Sequence, residues 1–289
     1  MTIPGMLLRI LNILLMVGIP AFLALKLYRK GKDGFRPIWI GALAFIISQA
    51  GHIPFNQFAL MPLLASWGIP PTAQEGGALL ALGVAAGISA GLFEELTRYR
   101  VFLFWLKKNP SELLPVKYGL GHGGVEAVLL GFVALAALVQ VLVLGGDGAL
   151  AGFGPEQAAL IQSQITQYWE VPWQLSLLGA WERISALAFH LGASLMVYKS
   201  VVERKPLWLL TAIIGHTLMD AFAVISVQKM DYVLLESILF VFAAGWLACA
   251  WFVRSRFEED AGPPPPAPSE VHTKDSPATP QQLEESRYD

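Results

Sequence analysis

The sequence predicts an all-α fold: a polytopic helical bundle embedded in a membrane, with about seven transmembrane helices. Three observations carry that expectation. Of the 289 residues, 55% are hydrophobic and 15% charged, and the mean hydropathy is +0.53, well above the range of soluble domains. Windows of roughly 20 apolar residues, enough to cross a hydrocarbon core of about 30 Å, recur along most of the chain. These windows are continuously apolar, whereas the strands of a membrane barrel would alternate apolar and polar residues over about ten positions.

The expected spans are 5–26, 37–58, 78–106, 121–144, 174–198, 207–228 and 232–253. The first is read as a retained helix, because Lys26, Arg29 and Lys30 stand where a signal peptide would carry small residues for cleavage. The second ends on His52 and Gln57, which read as interfacial groups. The third contains GLFEELTRY, the fourth begins with GHGGVE, the fifth holds WERISALAFH and the sixth GHTLMD. The seventh is uncharged apart from Glu236 and contains Cys249, the only cysteine. With one cysteine, neither an internal disulfide nor a cysteine-based zinc cluster can form.

Basic residues set the expected orientation. Arg29, Lys30, Lys32 and Arg36 follow the first span, Lys107, Lys108 and Lys117 the third, Lys199, Arg204 and Lys205 the fifth, and Arg254 and Arg256 the seventh. The linkers 59–77 and 145–173 carry no Lys or Arg. The positive-inside rule therefore puts the N-terminus outside and the C-terminus in the cytoplasm. The outer linker 145–173 includes GPEQAALIQSQITQYWEVPW, whose apolar Ala159, Ile161, Ile165 and Trp169 recur at loose helical spacing and predict an amphipathic helix on the outer interface, with a plain loop as the alternative. Two domains are expected: a transmembrane domain over 1–256 and a disordered, Pro-rich cytoplasmic tail over 257–289, in which His272 is solvated. The net charge of −2 and the absence of a basic stripe argue against a nucleic-acid partner. The lipid bilayer is the partner that the composition implies. A short polytopic chain of this kind fits a multi-pass protein of a bacterial cytoplasmic membrane.

Charges inside the spans are the candidates for function, since an unneeded charge at mid-bilayer costs several kcal/mol or more. At about 1.5 Å of rise per residue, Glu94 lies roughly 20 Å from Lys107, His190 roughly 14 Å from Lys199, and His216 roughly 16 Å from Lys205. His122 and Glu126 approach the same layer from Lys117. Glu94 and Arg98, His122 and Glu126, and His216 and Asp220 are each four apart, so each pair shares a helix face. A carboxylate so placed can hold one ring nitrogen of a histidine and free the other as ligand or base. The candidates are Glu94, Glu95, Arg98, His190, His216 and Asp220, with His122, Glu126 and Glu182 in support. Glu182 and Arg183 fall near the outer interface, where they read as anchors, with a role beside His190 left open.

The segment Glu94-Glu95-x-x-Arg98, then His190 in a later helix, then His216-x-x-x-Asp220, resembles the motif order of the glutamate–histidine intramembrane proteases. These include the CAAX prenyl proteases with their bacteriocin-processing relatives, and the PrsW proteases. GLFEELTRY, GLGHGGVEA, WERISALAFH with Ser194 beyond it, and IIGHTLMDA most resemble the YhfC family of intramembrane metalloproteases, in the same order. The CAAX pattern has Arg one residue later and Phe four residues before the histidine, where this chain has Ala186. That departure disfavours prenylated substrates.

The resemblance implies hydrolysis of a membrane protein or peptide within or beside the bilayer. Two chemistries fit. In one, His190, His216 and Asp220 hold zinc and Glu95 is the base. In the other no metal takes part, Glu94 or Glu95 activates water, and the protonated histidines polarise the scissile carbonyl. Buried Glu, His and Asp would also serve a proton-coupled transporter. They would equally hold together a non-catalytic membrane scaffold or immunity protein.

Overall fold

The computed structural model describes residues 3–31, 33–106 and 111–255. The expected tail over 257–289 with His272, and the basic residues Lys32, Lys107, Lys108 and Arg256, lie outside the described residues. Nine α-helices are found in the described range: α1 (Ile3–Tyr28), α2 (Arg36–Phe55), α3 (Met61–Ser66), α4 (Gly76–Phe104), α5 (Leu113–Leu144), α6 (Pro155–Glu170), α7 (Leu178–Glu203), α8 (Pro206–Ser226) and α9 (Tyr232–Val253). A π-helical turn, Asn56–Leu60, joins α2 to α3, and a 3-10 turn, Trp173–Leu177, leads into α7. Among the described residues, seven stretches are long and apolar enough to cross a membrane, with α2 through α3 counting as one. The protein is a multi-pass membrane protein of all-α class.

Two span boundaries differ from expectation. The second span runs to Ser66 rather than 58, and the fourth begins at Leu113 rather than 121. Pro54 and Pro62, each without an N–H, bracket the stretch where the second span's ladder slips to the wider π turn. In the fourth, residues 113–121 are helical, with α5 packed against α2 and α7, rather than left as a loop. The outer linker does form a helix, α6.

Local signals start and stop the elements. Pro37, Pro155 and Pro206 stand in the first turns of α2, α6 and α8, where a missing N–H costs nothing. Asp231 caps α9 by accepting from the Val233 and Leu234 N–H groups at 2.8 and 3.2 Å. Arg204 ends α7 in the left-handed region at φ 56°, and the next N–H, of Lys205, bonds back to Ser200 O at 3.1 Å.

Helices approach closely where glycine replaces a side chain. Gly83, Gly87 and Gly91 recur every four residues on α4 and lie against the α8 backbone. A Cβ on Gly87 would sit 2.5 Å from Thr217 O, and one on Gly91 2.9 Å from Ile213 O. Between α2 and α5 the fit is closer still, since a Cβ on Gly121 would fall 1.9 Å from Ile38 O. Lipid provides no hydrophobic drive between helices, so such backbone approach is a main source of packing energy. The central helix is α7: 67% of its apolar window is buried, against at most 39% in any other span. It touches α1, α4, α5, α8 and α9, and the polar residues of those helices meet around it.

Candidate active site

Glu94 and Glu95 are successive residues of α4, about 100° apart around the helix axis, and so face different neighbours. Glu95 is completely buried and fully engaged. Its two oxygens accept from Arg98 Nη1 at 2.9 and 2.7 Å, and Oε1 also accepts from His216 Nδ1 at 2.7 Å. Arg98 therefore pairs with Glu95, three residues away, and not with Glu94 at the expected spacing of four. Both positions lie on one helix face, and the side on which α7 and α8 approach decides between them.

Glu94 has no cationic side chain of its own. Its Oε2 accepts from His122 Nε2 at 3.0 Å and lies 4.0 Å from His190 Nδ1 and 3.9 Å from His216 Nε2. Three histidines from three helices thus aim a nitrogen at one carboxylate oxygen. The other oxygen, Oε1, accepts from Gln49 Nε2 of α2 at 2.8 Å.

A carboxylate fixes each histidine. His216 gives its Nδ1 proton to Glu95, which turns Nε2 toward Glu94 and toward Asp220 Oδ2 at 3.6 Å. His190 accepts from Arg98 Nη2 at Nδ1 (3.1 Å) and donates from Nε2 to Glu126 Oε2 at 2.8 Å. Glu126 is in turn held by Arg183, which also pairs with Glu182. This overturns two expectations. His122 and Glu126 do not bond to each other along α5; each crosses to another helix, where a buried charge finds several donors rather than one. Arg183 is no interfacial anchor, since its side chain is 8% exposed and bridges two carboxylates next to His190. Glu182 keeps a half-exposed position at the rim.

Gly123 explains why His190 and His122 sit so close, with ring centroids 4.9 Å apart. A Cβ there would lie 2.9 Å from His190 Cδ2. Behind the rings, Phe189 packs edge-on to His216 and stacks on Trp246. That aromatic wall closes the site on the α9 side.

A cavity of about 130 Å³ opens beside this cluster. Glu94, His190, His216 and Asp220 form its floor. Phe189, Met219 and Leu239 supply an apolar wall, and Glu182, Arg183 and Glu236 line it toward the end of the bundle where α7 and α9 begin. Asp220 is the most exposed of the four floor residues, with 40% of its side chain accessible.

Six carboxylates (Glu94, Glu95, Glu126, Glu182, Asp220 and Glu236) thus share the site with two guanidiniums, Arg98 and Arg183. An excess of negative charge away from water is met by a bound cation or by protons on the histidines. The donor set fits a divalent metal. Glu94, His122 and His190 each offer one ligand atom, and all three atoms lie within 4.8 Å of one another. Three protein ligands with an open fourth position is the arrangement of catalytic zinc. Among the described residues, His122 Nδ1 is buried without a hydrogen-bond partner, so the ring's polar function rests on Nε2, the atom that meets Glu94. The expected ligand trio of His190, His216 and Asp220 shares His190 with this set and also lines the cavity, with His216 Nε2 3.6 Å from Asp220 Oδ2.

Two contributors escaped the sequence reading. Gln49 touches Glu94 directly, and His52, read as interfacial, is half-buried one turn from Gln49 and bonded to it. The available signal was an amide in the apolar run AFIISQAGH.

Comparison with known proteins places this arrangement in context. The sequence model of the family described as "YhfC intramembrane metalloprotease" matches residues 13–241. The "Uncharacterized membrane protein YhfC" of Bacillus subtilis (strain 168) is 32% identical over 181 residues, covering 60% of this chain and 68% of that protein. No solved structure matches.

Proposed function

The chain belongs to the YhfC intramembrane metalloprotease family, and from that premise we propose that it hydrolyses peptide bonds of a membrane protein or membrane-associated peptide in the cavity beside Glu94. The observation that carries this reading is the convergence of His122, His190 and His216 on Glu94 Oε2.

Glu94, His122 and His190 would hold a divalent metal, zinc by donor type, which when bound supplies Lewis-acid polarisation of the scissile carbonyl and a more acidic water. His216 is the base: Glu95 fixes its Nδ1 proton, and Nε2 faces the cavity, where it takes a proton from water and returns it to the leaving amine. Glu95 thereby positions rather than attacks, because Arg98 and His216 already occupy its lone pairs. Glu126 keeps the His190 ring in place through Nε2, and Nδ1 would exchange Arg98 for the metal. Phe189, Met219 and Leu239 offer an apolar bed for a substrate segment. With the positive-inside orientation, the rim at Glu182 and Glu236 faces outward in a bacterial cytoplasmic membrane.

One observation favours a metal-free version of the same hydrolysis. Arg98 Nη2 already engages His190 Nδ1, the nitrogen nearest Glu94. In that version Glu94 is itself the base.

The test compares N-termini in the membrane proteome of cells expressing the wild type or Glu94→Gln. New termini within or beside apolar segments, produced by the wild type alone, are expected. Identical termini in both strains, with no metal bound to either protein, would overturn the reading.

A further inference from the structure

A line of side chains outside the catalytic cluster ends on Glu94. Ser89 Oγ donates to Asn56 Oδ1 at 2.7 Å, and Asn56 Nδ2 donates to His52 Nε2 at 2.9 Å. Because His52 Nε2 accepts, the ring proton sits on Nδ1, which donates to Gln49 Oε1 at 3.3 Å. With its oxygen so engaged, Gln49 presents its NH2 group to Glu94 Oε1 at 2.8 Å. Every bond in this line has the same polarity, with each donor directed toward Glu94.

We propose that Gln49, locked by His52, Asn56 and Ser89, is a positioning residue that fixes Glu94 so that Oε2 faces the histidines. An unrestrained glutamine could offer Glu94 either its NH2 or its C=O, and the C=O would repel the carboxylate. His52 removes that choice by occupying the oxygen. Asn56 in turn fixes the His52 tautomer, and it lies in the π turn between Pro54 and Pro62. The Asn56 N–H still bonds to His52 O, so Asn56 stands one α-helical turn beyond His52 and the two side chains share a face, while the wider turn begins beyond it, with the Met61 N–H bonded to Asn56 O. Ser89, five residues before Glu94 on α4, anchors the far end, so the line closes a loop from α4 through α2 and back to α4. Removal of a partner behind a metal ligand typically weakens metal affinity by about 10- to 100-fold.

This inference rests on the assignment of Glu94 to the centre, and its test separates the two. Zinc affinity is measured by chelator competition on the detergent-solubilised full chain for wild type, Gln49→Leu, Asn56→Ala and Glu94→Gln. The His52 tautomer is read by 15N NMR in the same proteins. Expected are a His52 proton on Nδ1 in the wild type, a mixed tautomer in Asn56→Ala, and a zinc affinity about 10- to 100-fold weaker in Gln49→Leu. A wild-type His52 proton on Nε2, or zinc affinity unchanged in Gln49→Leu while Glu94→Gln loses it, overturns the positioning role. If the wild type binds no zinc, the metal assignment fails by itself. The line to Glu94 is then judged by Glu94→Leu, whose loss of the acceptor shifts the His52 tautomer if the coupling is real and leaves it unmoved if it is not.

Discussion

His216 donates from Nδ1 to Glu95 Oε1 at 2.7 Å, across the boundary between α8 and α4, and this bond decides which nitrogen of His216 meets the cavity. Glu95 serves Arg98 with the same carboxylate, and both side chains are wholly buried. Replacing Glu95 by Gln leaves an uncompensated guanidinium in the bundle, for which a cost of about 3–5 kcal/mol is typical. Glu95→Gln is expected to melt well below the wild type in detergent, read by intrinsic tryptophan fluorescence. An unchanged melting temperature would mean that Arg98 finds another anion.

Metal content discriminates between ligand sets. With Glu94, His122 and His190 as the ligands, His122→Ala and His190→Ala are expected to lose about one zinc per chain by mass spectrometry. Asp220→Ala, which removes the exposed carboxylate on the cavity side, keeps it. Loss of zinc in Asp220→Ala with retention in His122→Ala would select the trio of His190, His216 and Asp220 instead.

The α4–α8 contact holds Glu95 and His216 in register, and Gly87 lies at its middle. A Cβ there would come within 2.5 Å of Thr217 O, a backbone atom that cannot turn aside. Gly87→Val is expected to cost about 1–3 kcal/mol by overpacking and to remove cleavage even if the protein still inserts. Size-exclusion elution and thermal melting report the first effect, terminal proteomics the second.

Arg183 and Glu126 form one unit behind His190. Glu126 accepts from both Arg183 and His190 Nε2, so the single changes should not add. In a double-mutant cycle on stability, Arg183→Met and Glu126→Gln are expected to show a coupling of about 0.5–3 kcal/mol. A coupling near zero would return Arg183 to the interfacial anchor that its position near the span's end suggests.

The spans and the burial of polar residues were legible because hydropathy and helical rise are local properties. Seven apolar windows and a shared depth for Glu94, His190 and His216 follow from counting residues. Partner choice was not legible. The spacing of four offered His122 to Glu126 and Glu94 to Arg98, yet each of these bonds elsewhere, since a helix face names several candidates and the neighbouring helix selects among them. Gln49 was missed for a related reason: an uncharged amide costs little in a span and stands out only when a carboxylate lies 2.8 Å away. The π turn at Asn56–Leu60, which begins where α2 ends, leaves no periodic signature in the sequence beyond its flanking prolines.

Glu94 and Glu95 look alike in the chain and should behave oppositely when changed. Glu95 is neutralised by Arg98, whereas Glu94 Oε2 faces three histidine nitrogens and no guanidinium. A group placed for chemistry rather than for stability can usually be removed without loss of fold, often with a gain. Glu94→Gln keeps the shape and one oxygen, which can accept from His122 or from Gln49 but not from both, while it removes one negative charge from a site where carboxylates outnumber guanidiniums. Its melting temperature is therefore expected to equal or exceed that of the wild type, with zinc affinity and cleavage both lost. Equal destabilisation by Glu94→Gln and Glu95→Gln would make the pair a structural ion cluster and leave the scaffold reading in its place.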